Sequence, residues 1–367
     1  MGKYLLFFVL VFIFTSCNVG EEPTLEQKVS QMLMVGFRGT EVSTDSQIVK
    51  DMAKYQLGGV ILFEYDAPSK SRPRNIVSVE QVKKLVSDLQ SYSQVPLFVA
   101  IDEEGGMVSR LKSKYGFSPT VKPSYLGKLN NEDTTRFYAK QIAKKCASVG
   151  INVNFAPSVD VNVNPNCPII GMLGRSFSDD YNVVAKNAKW FIEEHNKQGV
   201  LCTIKHFPGH GSSVSDTHLG IADVSHTWST DELKPFSMLL ADKILTSVMT
   251  SHIFNKNLDS IYPATLSKST LSILRNQFGF KGVIFSDDMM MKAITNYYGF
   301  EESICLAINA GVDVLVFSNN ISVNDNNIVD SAMQIIVKLV NEGKIDKQQI
   351  DKSYKRIIKT KKKLGII

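Results

Sequence analysis

The chain has 367 residues, of which 44% are hydrophobic and 21% are charged, and its formal net charge is +5. This composition, without a low-complexity tract, excludes a disordered chain and is typical of a globular protein with a large core. The length accommodates one large α/β domain or two average ones. Part of the positive charge lies in the last predicted helix, between residues 352 and 363, around an apolar stripe. Aromatic interleaving is absent there, so we expect a solvated face and no nucleic-acid partner.

The N-terminus predicts export. Lys3 precedes an apolar run over residues 4–14, which is short for a membrane span and has the length of a signal-peptide core. The run ends in Phe-Thr-Ser before Cys17, which resembles a bacterial lipobox, where small residues precede a lipidated cysteine. We expect a lipoprotein signal peptide at 1–16, a lipidated tether at 17–24 and a catalytic domain at 25–367, anchored to a bacterial membrane in the cell envelope. A secretory signal with an incidental cysteine is the alternative.

Eight short β-rich runs alternate with amphipathic stretches of helical period. The runs cover residues 32–37, 59–63, 97–101, 151–156, 200–204, 247–252, 283–286 and 312–317. The predicted helices cover residues 79–91, 132–148, 181–198, 230–242, 269–278, 301–310 and 328–341. Apolar strands that alternate with helices predict a parallel sheet, and eight repeats predict one (β/α)8 barrel of the TIM type with a C-terminal helix. A doubly wound open sheet is the alternative fold.

Charged and polar residues follow most of the predicted strands. They are Asp102 and Arg110 after the third strand, Asp160 and Arg175 after the fourth, Lys205 and His206 after the fifth, His252 at the end of the sixth and Asp287 after the seventh. In a parallel barrel these positions meet at the carboxyl rim. An unpaired buried charge costs on the order of several kcal/mol, so we expect a ligand site there.

The loop after the fifth strand reads Lys-His-Phe-Pro-Gly-His-Gly over residues 205–211. Its proline and glycines exclude a regular helix, so His206 and His210 do not form a helical zinc pair. The first strand lacks a His-x-His pair, which disfavours a barrel metallohydrolase. We therefore expect no metal and no other cofactor.

Two short motifs carry candidate catalytic groups. In Asp216-Thr217-His218 a carboxylate two residues from an imidazole can hold its tautomer, although a capped turn with an exposed histidine is an equal interpretation. The seventh strand runs into Asp287 and Asp288, and a carboxylate there can attack an anomeric carbon. We assign this role to Asp287 and a cap on a helix starting at Met289 to Asp288. Capping by both carboxylates is the alternative.

Four motifs together resemble glycoside hydrolase family 3, specifically its β-N-acetylglucosaminidase branch. They are K-H-F-P-G-H-G with a downstream D-x-H at 205–218, I-D-E-E-G-G-M-V-S-R at 101–110, G-R-S-F at 174–177 and F-S-D-D-M at 285–289. They occur in family order at successive strand ends, and the resemblance covers nearly the whole chain after the tether. It implies a retaining exo-enzyme that hydrolyses terminal β-linked N-acetylglucosamine from peptidoglycan fragments or other glycans.

The resemblance also implies individual roles. Asp287 would be the nucleophile, and His218, oriented by Asp216, would replace the acid/base carboxylate of most retaining glycosidases. The residues expected to bind the sugar hydroxyls are Asp102, Arg110, Lys205 and His206, and Arg175 is expected to help position Asp287 or the substrate. His210 is expected to stabilise the loop.

Several features separate this chain from other family members. Only two helices are predicted after the last strand, so we expect no second α/β domain and a catalytic acid that comes from the barrel. We also expect a monomer. The export signal argues against a cytoplasmic recycling role. Insertions at 65–75 and 162–172 look atypical, and the second is expected to alter the pocket. The alternatives are a catalytically decayed, lipid-anchored sugar-binding protein, or a phosphorylase or β-glucosidase of the same family.

Overall fold

The computed structural model describes residues 22–217, 220–242, 244–245, 247–321 and 323–367. The predicted signal peptide at 1–16, the lipidation site Cys17 and the predicted acid/base His218 lie outside the described residues. No helix in the described ranges combines the length and apolarity needed to cross a membrane.

Parallel strands form the centre of the structure. They are Leu33–Gly36, Gly59–Ile61, Phe98–Ile101, Val153–Asn154, Leu201–Cys202, Ile204–Phe207, Ser247–Thr250, Val283–Asp288 and Val314–Phe317. The first strand pairs with the second and also with the last, so the sheet returns to its start.

The fifth predicted strand is divided at Thr203. Its first half, Leu201–Cys202, pairs with the fourth strand, and its second half, Ile204–Phe207, pairs with the sixth. The nine segments therefore form eight barrel strands, each joined to both neighbours. The predicted TIM-type barrel is confirmed.

The strands are apolar because both of their faces are covered. Every residue of the first three strands and of Val314–Phe317 is buried. Phe285 packs edge-on against Phe98 and Phe155, with ring centroids 6.1 and 5.3 Å apart. Such aromatic contacts fill the barrel, which is a packed core with its open site at one end.

The α-helices surround the barrel. They are Leu25–Gln31, Gln47–Tyr55, Val79–Tyr92, Pro123–Leu129, Glu132–Ser148, Tyr181–Asn196, Lys234–Ala241, Lys268–Ser272, Lys292–Thr295, Phe300–Ala310, Ile328–Asn341 and Lys347–Lys363. The helix predicted at 230–242 begins as a 3-10 turn, Thr230–Leu233, and the one predicted at 269–278 ends as a π-helical turn, Ile273–Gln277.

The helix starts follow local capping rules. The side chains of Ser78, Asn131, Ser229 and Ser267 each accept a hydrogen bond from a backbone amide in the first turn that follows. Such caps satisfy amides that have no partner inside the helix. These four predicted boundaries are confirmed.

Two small elements lie outside the main core. Residues 162–172 carry their own apolar cluster of Cys167, Ile169 and Ile170. Strands Ala222–Asp223 and Ile253–Phe254 form a separate parallel pair. The segment 162–172 lies beside the carboxyl rim of the barrel.

Candidate active site

A cavity of about 400 Å³ opens at the carboxyl ends of the barrel strands. Its walls include all predicted catalytic and sugar-binding residues that the structure describes. These residues are Asp102, Arg110, Arg175, Lys205, His206, Asp216 and Asp287. The apolar part of the wall includes Ile61, Phe63, Val108, Ile169, Leu173, Met291 and Ile321. The cavity thus combines apolar walls with several convergent charges, as is usual for small-molecule sites.

A chain of ion pairs crosses the floor of the cavity. The Lys205 Nζ atom lies 2.7 Å from Asp102 Oδ1 and 2.8 Å from Glu104 Oε1. Arg175 donates from Nε and Nη2 to the two oxygens of Glu104, at 2.9 and 2.7 Å. These contacts fix both cations at the edge of the cavity, where a ligand can meet them without prior rearrangement.

Glu104 is a site residue that the sequence reasoning missed. Burial alone would raise the pKa of its carboxyl, but the charges of Arg175 and Lys205 outweigh burial and hold that pKa well below its usual range. The adjacent Glu103 turns away and pairs with Lys145 at 2.6 Å. The two acids are neighbours in the same motif, but their side chains contact different partners.

Asp102 is placed to receive hydrogen bonds from a ligand. Its second oxygen lies 3.6 Å from Arg110 Nη2, and its side chain remains partly exposed to the cavity. Burial alone would raise the pKa of the Asp102 carboxyl. The charges of Lys205 and Arg110 outweigh burial and hold this pKa below its usual value. A carboxylate held in its charged form is a strong acceptor for sugar hydroxyls.

His206 is held at both ring nitrogens. Its Nδ1 lies 2.6 Å from Asp160 Oδ2, and its Nε2 lies 3.1 Å from Arg175 Nη2. A guanidinium only donates, so Nε2 accepts and Nδ1 carries the proton that is donated to Asp160. We infer that His206 orients Arg175, and its predicted contact with the sugar stays a prediction.

The seventh strand carries both candidate nucleophiles to the cavity. The Asp287 amide donates to Thr250 Oγ1 at 3.2 Å, and Asp287 Oδ1 accepts the Asp288 amide at 2.8 Å. The Asp288 carboxylate accepts the amides of Ser318 and Met290, at 3.0 and 3.1 Å, and also the Ser318 hydroxyl. These three donors stabilise the Asp288 carboxylate and weaken it as a nucleophile.

The predicted helix cap by Asp288 is wrong. No helix starts at Met289, because the strand runs through Asp288 and the next helix is Lys292–Thr295, with Met291 at its N-cap. Asp288 instead ties the seventh strand to Ser318 at the end of the eighth strand. Burial raises the pKa of Asp288 to about 6, against the hydrogen bonds that it accepts.

The loop after the fifth strand reaches the cavity with His210, Asp216 and Thr217. The Thr217 carbonyl accepts the Ala293 amide at 3.3 Å, and His210 Nε2 lies 3.3 Å from Thr217 Oγ1. Burial lowers the pKa of His210 to about 4, so its imidazole is neutral at physiological pH. These contacts agree with the expected stabilising role of His210. The relation between Asp216 and His218 is outside the described residues.

One of the two predicted insertions forms part of the cavity wall, and the other contacts that wall. Ile169, in the segment 162–172, forms part of the wall, and its carbonyl accepts Arg175 Nη1 at 2.9 Å. Asn320, which also forms part of the wall, receives the Ala67 amide and donates to the Tyr65 carbonyl, both at 2.9 Å. Both segments thus shape the region around the charged floor.

His252 lies behind the site, where its Nε2 is 2.9 Å from the Asp288 carbonyl oxygen. In the part of the chain that the structure describes, no group of three or more His, Cys, Asp and Glu side chains is arranged to hold a metal ion.

The sequence was compared with models of known protein families, and the result agrees with the motifs and with the barrel. The family model described as "Glycosyl hydrolase family 3 N terminal domain" matches residues 24–360. The chain belongs to glycosyl hydrolase family 3. The predicted family membership is confirmed.

Curated relatives of the chain include two bacterial proteins. Beta-hexosaminidase A of Pseudoalteromonas piscicida is 31% identical over 93% of this chain and 61% of the relative. Beta-hexosaminidase of Idiomarina loihiensis is 34% identical over 78% of this chain and 84% of the relative. The chain therefore spans less than two thirds of the first relative and most of the second.

Solved structures that share the fold include a family 3 enzyme. A β-N-acetylglucosaminidase from Paenibacillus sp. is 33% identical with a TM-score of 0.85, and the match covers 94% of this chain and 63% of that one. A β-N-acetylhexosaminidase from Beutenbergia cavernae is 27% identical with a TM-score of 0.82, and the match covers 94% of this chain and 100% of that one. The match therefore spans the whole of the Beutenbergia chain and 63% of the Paenibacillus chain.

Proposed function

We propose that this family 3 protein is a retaining exo-β-N-acetylglucosaminidase that hydrolyses terminal β-linked N-acetylglucosamine from peptidoglycan fragments or other glycans. One observation carries the proposal: a single rim cavity brings Asp287 together with the Asp102–Lys205–Glu104–Arg175 chain of ion pairs. Relatives named beta-hexosaminidase support the choice of sugar.

The first chemical step forms a covalent intermediate. Asp102 and Lys205 hold hydroxyls of the terminal sugar, and the Asp287 carboxylate attacks its anomeric carbon. As the new carbon–oxygen bond forms, the bond to the leaving group breaks, and His218 donates a proton to the departing oxygen. The result is a glycosyl ester on Asp287 and a released alcohol.

The second step returns the enzyme to its starting state. His218 takes a proton from water, and the water oxygen bonds to the anomeric carbon while the bond to Asp287 breaks. Asp216 holds the imidazole in the tautomer that both steps need. The assignment of His218 and Asp216 rests on the D-x-H motif, and the position of Asp216 on the cavity wall supports it.

The ion pairs assist both steps by their fixed positions. Lys205 and Arg175 are held by Glu104, so their charges face the cavity without reorganisation during the reaction. The apolar walls limit the number of water molecules around these charges and strengthen their effect on a bound sugar.

We also propose that Cys17 is lipidated and anchors the enzyme to a bacterial membrane in the cell envelope, where it acts as a monomer. The apolar run and the small residues before Cys17 support this proposal. Mass spectrometry of protein extracted from membranes should show a diacylated Cys17 at the N-terminus. An unmodified Cys17 in that fraction would contradict the anchor.

Steady-state kinetics test the activity. We expect wild-type protein to turn over an aryl β-N-acetylglucosaminide in preference to the β-glucoside. Asp287→Ala should lower kcat at least about 10³-fold and His218→Ala about 10²- to 10⁴-fold. Asp223→Asn, an exposed carboxylate in the outer strand pair, serves as the control and should retain activity.

Each other outcome identifies an alternative. No turnover of either substrate by wild-type protein would favour a sugar-binding protein, and preference for the glucoside would overturn the assignment of the sugar. Rapid formation of sugar 1-phosphate in phosphate buffer, with little free sugar, would identify a phosphorylase.

A further inference from the structure

Glu232 is a buried carboxylate that supports the loop leading to the proposed acid/base pair. It does not line the cavity, and its Oε2 accepts the backbone amides of Gly211 and Ser212 at 3.0 and 3.3 Å. A few residues later the loop reaches Asp216 on the cavity wall. Glu232 therefore holds the loop at its root, behind the reacting groups.

A second contact acts at the same place. Glu232 belongs to the 3-10 turn Thr230–Leu233, and just before this turn the Trp228 indole donates to the Pro208 carbonyl at 3.1 Å. The segment that follows the loop thus binds the segment that begins it at two points. These contacts hold the two ends of the loop together. Asp216 and Thr217, between them, line the cavity.

The loop root is packed so closely that only glycine fits. A Cβ atom on Gly211 would lie 1.7 Å from the Val161 carbonyl oxygen, and one on Gly209 would lie 2.6 Å from the Glu232 Cβ. Gly209 also has φ +118°, in the region that favours glycine. The backbone is therefore confined between Val161 on one side and Glu232 on the other.

This arrangement carries a free-energy cost. Glu232 Oε1 is buried and makes no hydrogen bond of good geometry among the described residues, although the Ser212 hydroxyl interacts with this carboxyl. Burial, with a contribution from the charge of Asp160, raises the pKa of Glu232 to about 7. Polar groups with such costs are concentrated at functional sites, where another property of the protein offsets them.

We infer that Glu232 is a positioning residue for the proposed acid/base pair: by holding the Gly211 and Ser212 amides, it fixes the loop from which Asp216 reaches the cavity and whose sequence continues into the proposed acid/base group. This inference rests on the proposed function. It assigns Glu232 no contact with substrate, and its effect on the reaction passes through the backbone of the loop.

Such a role has a specific kinetic signature. A poor leaving group needs a proton from the acid as its bond breaks, whereas an activated aryl leaving group departs with little help. A misplaced acid/base pair therefore lowers kcat/KM for poor leaving groups and spares kcat/KM for activated ones. A general loss of folded protein would lower both in the same proportion.

The test compares Glu232→Ala with wild type on two N-acetyl-β-glucosaminides, one with a dinitrophenyl and one with a methoxyphenyl leaving group. We expect kcat/KM to fall about 10- to 100-fold for the methoxyphenyl substrate and less than about 3-fold for the dinitrophenyl substrate. Glu232→Asp, which withdraws the acceptor by one methylene, should show a smaller difference of the same sign.

Glu194→Gln is the matched control, because Glu194 is a buried carboxylate paired with Arg136 and Lys197 away from the cavity. It should leave the ratio of the two kcat/KM values unchanged. Equal losses on both substrates in a folded Glu232 variant, or no loss on either, would overturn the inference. If Glu232→Ala does not fold, Glu232→Asp decides by the same criterion. Absence of turnover by wild-type protein would instead refute the proposed function.

Discussion

Neutralising Glu104 should destabilise the protein far more than neutralising a surface acid. Its carboxylate receives two hydrogen bonds from Arg175, at 2.9 and 2.7 Å, and one ion pair from Lys205, at 2.8 Å. Glu104→Gln keeps the size of the side chain but leaves two buried cations without this counter-charge. Breaking a buried pair in this way costs about 3–5 kcal/mol.

Urea unfolding at pH 7, followed by tryptophan fluorescence, measures this loss. The control is Glu301→Gln, because the Glu301 side chain is partly exposed and pairs with Lys338 at 3.0 Å. An exposed pair of this kind contributes about 0–1 kcal/mol. A loss for Glu104→Gln no larger than that of the control would refute the claim that Glu104 organises the charged floor.

The pH dependence of the same difference follows from the pKa of Glu104. Because the folded protein holds this pKa below its usual value, the ionised carboxylate contributes its full stability above the pKa of the unfolded chain, about 4.3. This contribution is lost as the pH falls below that value toward the pKa of the folded state. The difference between wild type and Glu104→Gln should therefore be constant from pH 6 to 8 and should decrease below about pH 4.

Two further variants test the site and its support. Asp102→Asn should lower kcat/KM about 10- to 100-fold, mainly through KM, because a charged acceptor for sugar hydroxyls is lost; unchanged kinetics would remove Asp102 from the binding site. Burial raises the pKa of Glu232 to about 7, so the folded protein loses stability as the pH rises from about 4.5 to 7, where only the unfolded chain releases this proton. Wild type should lose roughly 3 kcal/mol more than Glu232→Gln over that range, and parallel stability profiles for the two proteins would contradict the shifted pKa.

The barrel was predictable because its strands follow simple rules. Parallel strands that are buried on both faces appear as short apolar runs, and each run here ends near a charged or polar residue at the rim. The predicted strands therefore coincide in position with the observed ones, although most of the observed strands are shorter. The family was predictable because four motifs occur in order at these strand ends, and the family match over residues 24–360 confirms it.

Features that depend on tertiary contacts were less accessible. The fifth strand continues through Ile204–Phe207, because this half pairs with the sixth strand although its sequence is polar at Lys205 and His206. The helices Gln47–Tyr55 and Pro123–Leu129 were not predicted.

The site shows the same limit at two carboxylates. Asp288 has the local pattern of a helix cap, but its carboxylate instead accepts the amide of Ser318, which follows the neighbouring strand. Glu103 and Glu104 are adjacent, yet Glu103 pairs with Lys145 while Glu104 pairs with Arg175 and Lys205 at the cavity. One-dimensional patterns identify such charged residues but do not distinguish between neighbours in the chain.

Covalent trapping tests the central claim most directly. A fluorinated N-acetylglucosaminyl fluoride should react with wild-type protein and slow the second step, so that the glycosyl ester accumulates. Peptide mapping by mass spectrometry is expected to find the label on Asp287, and Asp287→Ala should remain unlabelled. A label on Asp288, or turnover without any covalent intermediate, would contradict the account.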